Sequence, residues 1–189
     1  TLQNKAVAAQ AASDLDTAIS IYGRIADTYQ TLNNVAKSIE AYEKIVEIDP
    51  SHADSLQKLH ALYEKRGNWV NLYDILGKEA LLMRGAQRVA LFEQQAQLAE
   101  RQMRTQPDKM IAAWESVSSA ADDPTDALKK LEELYKKQEN FKALATVYER
   151  FRDIADDDSD RIRFTDLLAQ VHIKQLHDED RAIQLWREI

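Results

Sequence analysis

Residues 62–76 read LYEKRGNWVNLYDIL and residues 134–148 read LYKKQENFKALATVY. The two stretches align without a gap, with Tyr63 and Tyr135 standing 135 − 63 = 72 residues apart. The register holds when it is extended outward. Leu56 falls on Leu128, Leu59 on Leu131, Trp69 on Phe141, Phe92 on Phe164, Ile111 on Ile183 and Trp114 on Trp186. Carried backwards, Trp114 meets Tyr42 and Ile111 meets Ile39, so one alternating unit runs through nearly the whole chain. Two unrelated segments would not keep this register.

Within a unit the apolar residues recur at helical spacing. Over 53–65, Leu56, Leu59, Leu62 and Tyr63 form one stripe of a 3.6-residue period, while Asp54, Lys58, Glu64 and Lys65 fall off it. Helices of about 14 residues are roughly 20 Å long, too short to stand alone, so each stripe has to be covered by a neighbouring helix. The turns are punctuated to match. Asn34, Asn68 and Asn140 stand at equivalent places, where a side-chain oxygen accepts an orphan N–H of the next helix. Ser51 with Asp54 three residues on, and Pro124 after Asp123, read as further helix starts.

The composition agrees with an all-α chain. There are four Gly and three Pro in 189 residues, and Pro50, Pro107 and Pro124 all lie outside the apolar-periodic runs. A hydrophobic fraction of 44% in a chain of this length supports a core without staples. The absence of cysteine excludes a disulfide framework, a thiolate metal site and a cysteine nucleophile. A formal charge of −7 argues against a general nucleic-acid binder, and the longest apolar run is far short of the roughly 20 residues a membrane span requires. The text begins in a small-residue helical pattern and stops inside an amphipathic one, which reads as part of a longer polypeptide.

The half-unit length is that of helix-pair repeats, and the segment ISIYGRIADTYQTLNNVAKSIEAYEKIVEIDPSH (19–52) resembles a tetratricopeptide repeat. Tyr22, Ile25, Ala26 and Tyr29 match that family's first-helix skeleton, and Ser38, Tyr42 and Pro50 match its second. Ile45 departs, being larger than the usual Ala. Leu56, Leu59, Tyr63, Gly67, Leu72 and Leu76 supply a second unit, and Leu128, Leu131, Tyr135, Leu144 and Tyr148 a fourth. The third and fifth units are degenerate and need an inter-helix turn about two residues longer than the first. The alternation is similar to the divergent arrays of large bacterial tetratricopeptide proteins. A residual similarity, in VYERF and LWREI, is to the half-a-TPR repeats of RNA-processing scaffolds.

The resemblance implies an all-α, right-handed superhelical solenoid of antiparallel helix pairs. Its expected divisions are 1–12 as the tail of a preceding repeat helix, then 13–52, 53–84, 85–122, 123–156 and a truncated unit at 157–189. It also implies a non-catalytic scaffold that receives a protein or peptide partner on the concave face lined by each pair's first helix. The polar residues expected there are Arg24 and Asp27; Gln57 and Lys58; Glu93 and Gln97; Lys129, Lys130 and Glu133; and Asp166. The alternatives are a half-a-TPR scaffold around RNA and a structural array that self-associates or acts as a spacer. One subclass of the family clamps a C-terminal carboxylate with Lys, Asn and Arg. Gly23, Asp27, Ala90 and Gln94 stand at those positions here, so a chaperone tail is not the expected ligand.

No other constellation points to chemistry. Asp156, Asp158 and Asp160 have the spacing of the first ligands of a calcium loop. Arg161, however, stands where that loop needs Gly, and Leu167 where it needs Glu. His52, His60, His172 and His177 form no metal spacing and read as surface or turn residues. No phosphate loop or nucleophile elbow is present, so no catalytic residue, metal or cofactor is expected. Ten aromatics, Tyr22, Tyr29, Tyr42, Tyr63, Phe92, Trp114, Tyr135, Tyr148, Phe164 and Trp186, read as core. Trp69 and Phe141 read as staples of the preceding turn. Lys129, Lys130, Lys136 and Lys137 form the one local basic patch, open to an acidic partner segment or simply a solvated face.

Overall fold

The computed structural model describes residues 1–11 and 14–189. The expected boundary between the tail helix and the first repeat, at 12/13, lies outside the described residues. The described residues contain eleven α-helices and no strand, and they divide into two compact units, Thr1–Met103 and Arg104–Ile189. The first unit holds α1 (Leu2–Ala11), α2 (Leu15–Thr31), α3 (Val35–Ile48), α4 (Ala53–Arg66), α5 (Trp69–Leu82) and α6 (Gly85–Gln102). The second holds α7 (Pro107–Ala120), α8 (Thr125–Lys137), α9 (Phe141–Ile154), α10 (Asp158–Val171) and α11 (Glu179–Trp186). Within each unit every helix packs on its neighbours in chain order, the one-dimensional stacking of a solenoid.

The turns follow one recipe. The α2–α3, α4–α5 and α8–α9 turns each place one residue in the left-handed region, Asn33 (φ 54°), Gly67 (φ 66°) and Glu139 (φ 54°), directly before an asparagine. Asn34, Asn68 and Asn140 then cap the next helix, their side-chain oxygens accepting from the backbone N–H of Lys37, Asn71 and Ala143 at 3.2, 3.4 and 3.3 Å. Left-handed backbone closes the first helix, and the cap starts the second. Helix C-termini elsewhere are met by arginine: Arg88 donates to the carbonyls of Ala80 and Met83 at 3.2 and 2.9 Å, and Arg150 to that of Ser118 at 2.7 Å.

The extra residues expected in the fifth unit are taken up within the helix. After α10 the chain makes one π-helical turn, His172–Leu176, which ends at His177 in the left-handed region (φ 55°). An inserted residue is accommodated by widening a turn of helix without adding a loop.

In the first unit the core is a continuous apolar cluster from Ala6 through Tyr22, Ile25, Tyr42, Ile45, Leu56, Leu59 and Tyr63 to Leu76. Three readings from sequence need correction. Ser51 does not cap α4. Its hydroxyl and N–H both bond Asp49, and His52 is the cap, Nδ1 accepting from Ser55 N–H at 3.3 Å. Two of the ten aromatics are not core: Tyr29 is half-buried beneath Lys37, 5.2 Å from its ring centre, and Trp186 is exposed. His60 and His172 are partly buried, and neither is a free surface residue.

Candidate functional site

The polar residues expected to face a partner lie on α2, α4 and α6 of the first unit and on α8 and α10 of the second. Arg24, Asp27, Gln57, Lys58, Glu93, Gln97, Lys129 and Glu133 are exposed, while Lys130 and Asp166 are half-buried. Two of the acids are committed within the chain. Asp27 accepts the hydroxyl of Tyr42 at 2.9 Å, and Asp166 accepts the indole N–H of Trp186 at 2.9 Å and the amide of Gln170 at 2.7 Å.

These bonds belong to a wider set. Tyr148 donates to Glu132 at 2.9 Å, Tyr135 to Glu115 at 2.5 Å, and Tyr63 to Glu43. Each of the four tyrosine bonds joins a buried ring to an acid on the adjacent helix, so the ring fills the core while its polar tip stays satisfied. Burial first, and then the facing carboxylate, holds the hydroxyls of Tyr42 and Tyr135 above the ordinary tyrosine range.

The first unit forms a groove of about 450 Å³ between α4, α5 and α6. Leu72, Leu76 and Leu98 give it apolar walls beside Trp69. His60, Glu64, Gln94, Gln97, Arg101 and Gln102 supply hydrogen-bonding groups. Of the residues expected from sequence, Gln97 lines this groove; Gln57, Lys58 and Glu93 do not.

Beneath the groove lies an ion pair that sequence reasoning missed. His60 Nδ1 is 2.6 Å from Glu79 Oε2, with Glu79 only 8% exposed. An ionised carboxylate only accepts, so Nδ1 carries the proton and donates, leaving the other ring edge to the groove. The bond to Glu79 raises the His60 imidazole above its usual value, against partial burial, which lowers it. The same positions one repeat earlier (60 − 26 = 34, 79 − 45 = 34) hold Ala26 and Ile45, both buried. A signal was present: Glu79 falls on the apolar stripe of α5 with Leu72, Ile75, Leu76 and Ala80, and a buried acid demands a partner. Gln95 is a second buried polar group, its amide donating to the carbonyl of Tyr73 at 2.9 Å.

The basic patch on α8 is largely engaged. Lys129 pairs with Asp126 at 3.0 Å and Lys136 with Glu132 at 2.6 Å. Lys130 lies over the ring of Trp114 at 5.8 Å. The acidic run before α10 is likewise spent on structure. Asp157 caps the helix through Asp160 N–H at 2.7 Å, Asp158 pairs with Arg161 at 2.7 Å, and Asp160 lies 3.4 Å from Arg163.

Residues 19–52 and residues 127–162 each match the family model of the tetratricopeptide repeat. No curated protein matches the chain. Among solved structures, the chain is similar to MamA (20% identity, TM-score 0.39, 90% of this chain and 88% of that one). It is similar also to YrrB, described as a TPR protein with an unusual peptide-binding site (12% identity, TM-score 0.37, 89% and 82%). A third is PilF of Pseudomonas aeruginosa (16% identity, TM-score 0.37, 98% and 84%).

Proposed function

We propose that this tetratricopeptide-repeat protein is a non-catalytic interaction scaffold that receives a segment of a partner protein on faces carried by α2, α4 and α6 in the first unit and by α8 and α10 in the second. On this reading the helix pairs fall into units 13–52, 53–84, 85–122, 123–156 and 157–189. Arg24, Asp27, Gln57, Lys58, Glu93 and Gln97 are the residues along the first unit's face, and Lys129, Lys130, Glu133 and Asp166 those along the second's.

The observation that carries the reading is the α4–α5–α6 groove. It combines an apolar wall with His60, Gln94, Gln97 and Arg101, and its lining comes from α4, α5 and α6. Side-chain amides serve as both donor and acceptor, which suits a peptide backbone, and Trp69 beside Leu72 offers a slot for one apolar side chain. Engagement of the α8 lysines in internal pairs leaves little free positive charge for a phosphate backbone, which favours a protein partner over RNA.

The test is site-specific photo-crosslinking in cells of the native organism. A benzophenone side chain at Gln97 is expected to capture a discrete protein, while one at Lys78, which lines the separate cavity formed by α3, α4 and α5, is not. Capture from Lys78 alone would move the site to the second-helix side. Capture that disappears with nuclease would favour the RNA-associated scaffold, and capture of the chain itself would favour a self-associating array.

A further inference from the structure

The His60–Glu79 pair is not a requirement of the helix stack. Its positions hold Ala26 and Ile45 one repeat earlier and, at the 72-residue spacing, Glu132 and Phe151. Burying an ion pair costs desolvation that an apolar pair avoids, so a pair present here and absent from those two repeats points to a use outside the core. The geometry shows where. Nδ1 of His60 is 2.6 Å from Glu79 Oε2, and the ring also lines the α4–α5–α6 groove, so Nε2 is the nitrogen that a ligand there meets.

The groove holds donors that nothing in the chain satisfies. Arg101 lines it from α6 and, among the described residues, forms no ion pair or side-chain hydrogen bond. Gln94 and Gln97 are likewise uncommitted. Glu64, the acid of the rim, stands one helical turn on from His60, is exposed, and pairs with neither His60 nor Arg101. No residue of α3 lines the groove. The charged groups around His60 are therefore Glu79 of α5, Glu64 of α4 and Arg101 of α6, and the two acids favour its protonated form. Protonation turns Nε2 from an acceptor into a donor. His60 and Arg101 then offer two cationic donors in one groove, with no acceptor of the chain paired to Nε2 or to the guanidinium.

We propose that the groove binds its partner segment through a carboxylate that accepts from Nε2–H of protonated His60 and from the Arg101 guanidinium, and that the segment is released as His60 loses its proton. The proposal rests on the α4–α5–α6 groove being the binding site. Glu79 is then a positioning residue, which fixes the tautomer and turns Nε2 toward the ligand. An Asp, a Glu or a chain end supplies the same carboxylate, while Leu72, Leu76 and Leu98 take an apolar neighbour. Neither His60 nor Arg101 stands at a position of the family's terminal-carboxylate clamp. The ligand's carboxylate, with an ordinary pKa of about 4, stays ionised while His60 titrates, so the change in binding follows the histidine. Glu64 repels the ligand, and Glu64→Gln should tighten binding.

A random library of N-acetylated peptides tests it, prepared both as C-terminal amides and as free acids. Each form is selected on the full chain below and above the His60 pKa that an NMR titration finds. Gln97→Trp, an obstruction at an exposed lining residue, identifies the peptides that occupy the groove. Among these, enrichment of Asp or Glu in the amides assigns the carboxylate to a side chain, and binding confined to the free acids assigns it to the chain end. Affinity should fall by about tenfold as His60 deprotonates. Glu79→Gln should carry the binding midpoint to lower pH together with the His60 pKa, which a packing role alone would not move. His60→Ala with Glu79→Ile should remove the pH dependence, and Arg101→Gln should weaken binding while leaving that dependence in place. Groove peptides with no carboxylate preference, affinity indifferent to pH, or a midpoint that Glu79→Gln leaves unchanged would overturn the proposal while the groove reading stands. A library with no peptide sensitive to Gln97→Trp would overturn both.

Discussion

Tyr135 on α8 donates its hydroxyl to Glu115 on α7 at 2.5 Å, and the same bond recurs between Tyr63 and Glu43 one full unit earlier. The tie joins the second helix of one pair to the first helix of the next, so it holds adjacent repeats in register. Tyr135→Phe keeps the ring and removes the bond, and it should destabilise the chain by about 1 kcal/mol because Glu115, being exposed, recovers its solvation in water. Urea denaturation checks the value. A double-mutant cycle with Glu115→Gln should show coupling, and none should appear between Tyr135→Phe and Glu43→Gln. Because burial and Glu115 raise the Tyr135 hydroxyl above its ordinary value, the folded state resists ionisation there. The associated stability is full below about pH 10, the ordinary tyrosine pKa, and is lost as pH rises further. The alkaline loss should be shallower in Tyr135→Phe.

The His60–Glu79 pair predicts an opposite asymmetry between single and double variants. His60→Ala leaves a buried carboxylate without its partner and should cost about 3 kcal/mol. His60→Ala combined with Glu79→Ile imports the Ala26 and Ile45 pair of the preceding repeat and should restore stability to the parent level or above, as measured by denaturant midpoint. The pair also titrates. His60 is raised when folded, so its contribution is complete below the unfolded histidine value of about 6.5 and is lost as pH rises through the folded value. An NMR titration should find the His60 pKa above the ordinary histidine value, and Glu79→Gln should bring it back down.

The solenoid was legible because its information is periodic. Leu56, Leu59 and Tyr63 repeat as Leu128, Leu131 and Tyr135, and a stripe that recurs at a fixed spacing fixes both the helices and what they stack against. The asparagine caps were legible for the same reason. The α4 start was misassigned because Ser51 has a competing local partner in Asp49, which leaves His52 to cap. Within the candidate site, exposure could be read from the helical period, but commitment could not. Asp27 and Asp166 are off the apolar stripe, as a partner-facing acid should be, yet both are bonded by aromatic side chains from the paired helix. That information lies between helices, in the reach of Tyr42 and Trp186. His60 and Glu79 were passed over because His60 reads as a surface residue until its acid partner, 19 residues away, is brought beside it.

The α8–α9 turn carries removable strain. Glu139 sits at φ 54° where the equivalent α4–α5 turn has Gly67 and the α2–α3 turn has Asn33, the two residue types that tolerate left-handed backbone. Glu139→Gly should stabilise the chain by about 1 kcal/mol, and Gly67→Ala should destabilise it by about the same amount. Asn33→Gly should change little, because asparagine already tolerates the conformation. Thermal melts of the three variants decide the matter. Equal effects at all three positions would show that the turns do not share one strained geometry.

Gly77 lies within α5, where alanine would normally be preferred by about 1 kcal/mol. A Cβ at that position would stand 2.7 Å from Nε2 of Gln95, the buried amide that bonds the carbonyl of Tyr73 and links α5 to α6. The glycine therefore makes room for a buried interhelical hydrogen bond. Gly77→Ala alone should fall within about 1 kcal/mol of the parent, since the helical gain and the displaced amide oppose each other. With Gln95→Ala already present the obstruction is gone, and adding Gly77→Ala should stabilise by the full helical increment of about 1 kcal/mol. The difference between these two backgrounds, read by denaturant unfolding, measures what the Gln95 bond contributes to the packing of α5 on α6.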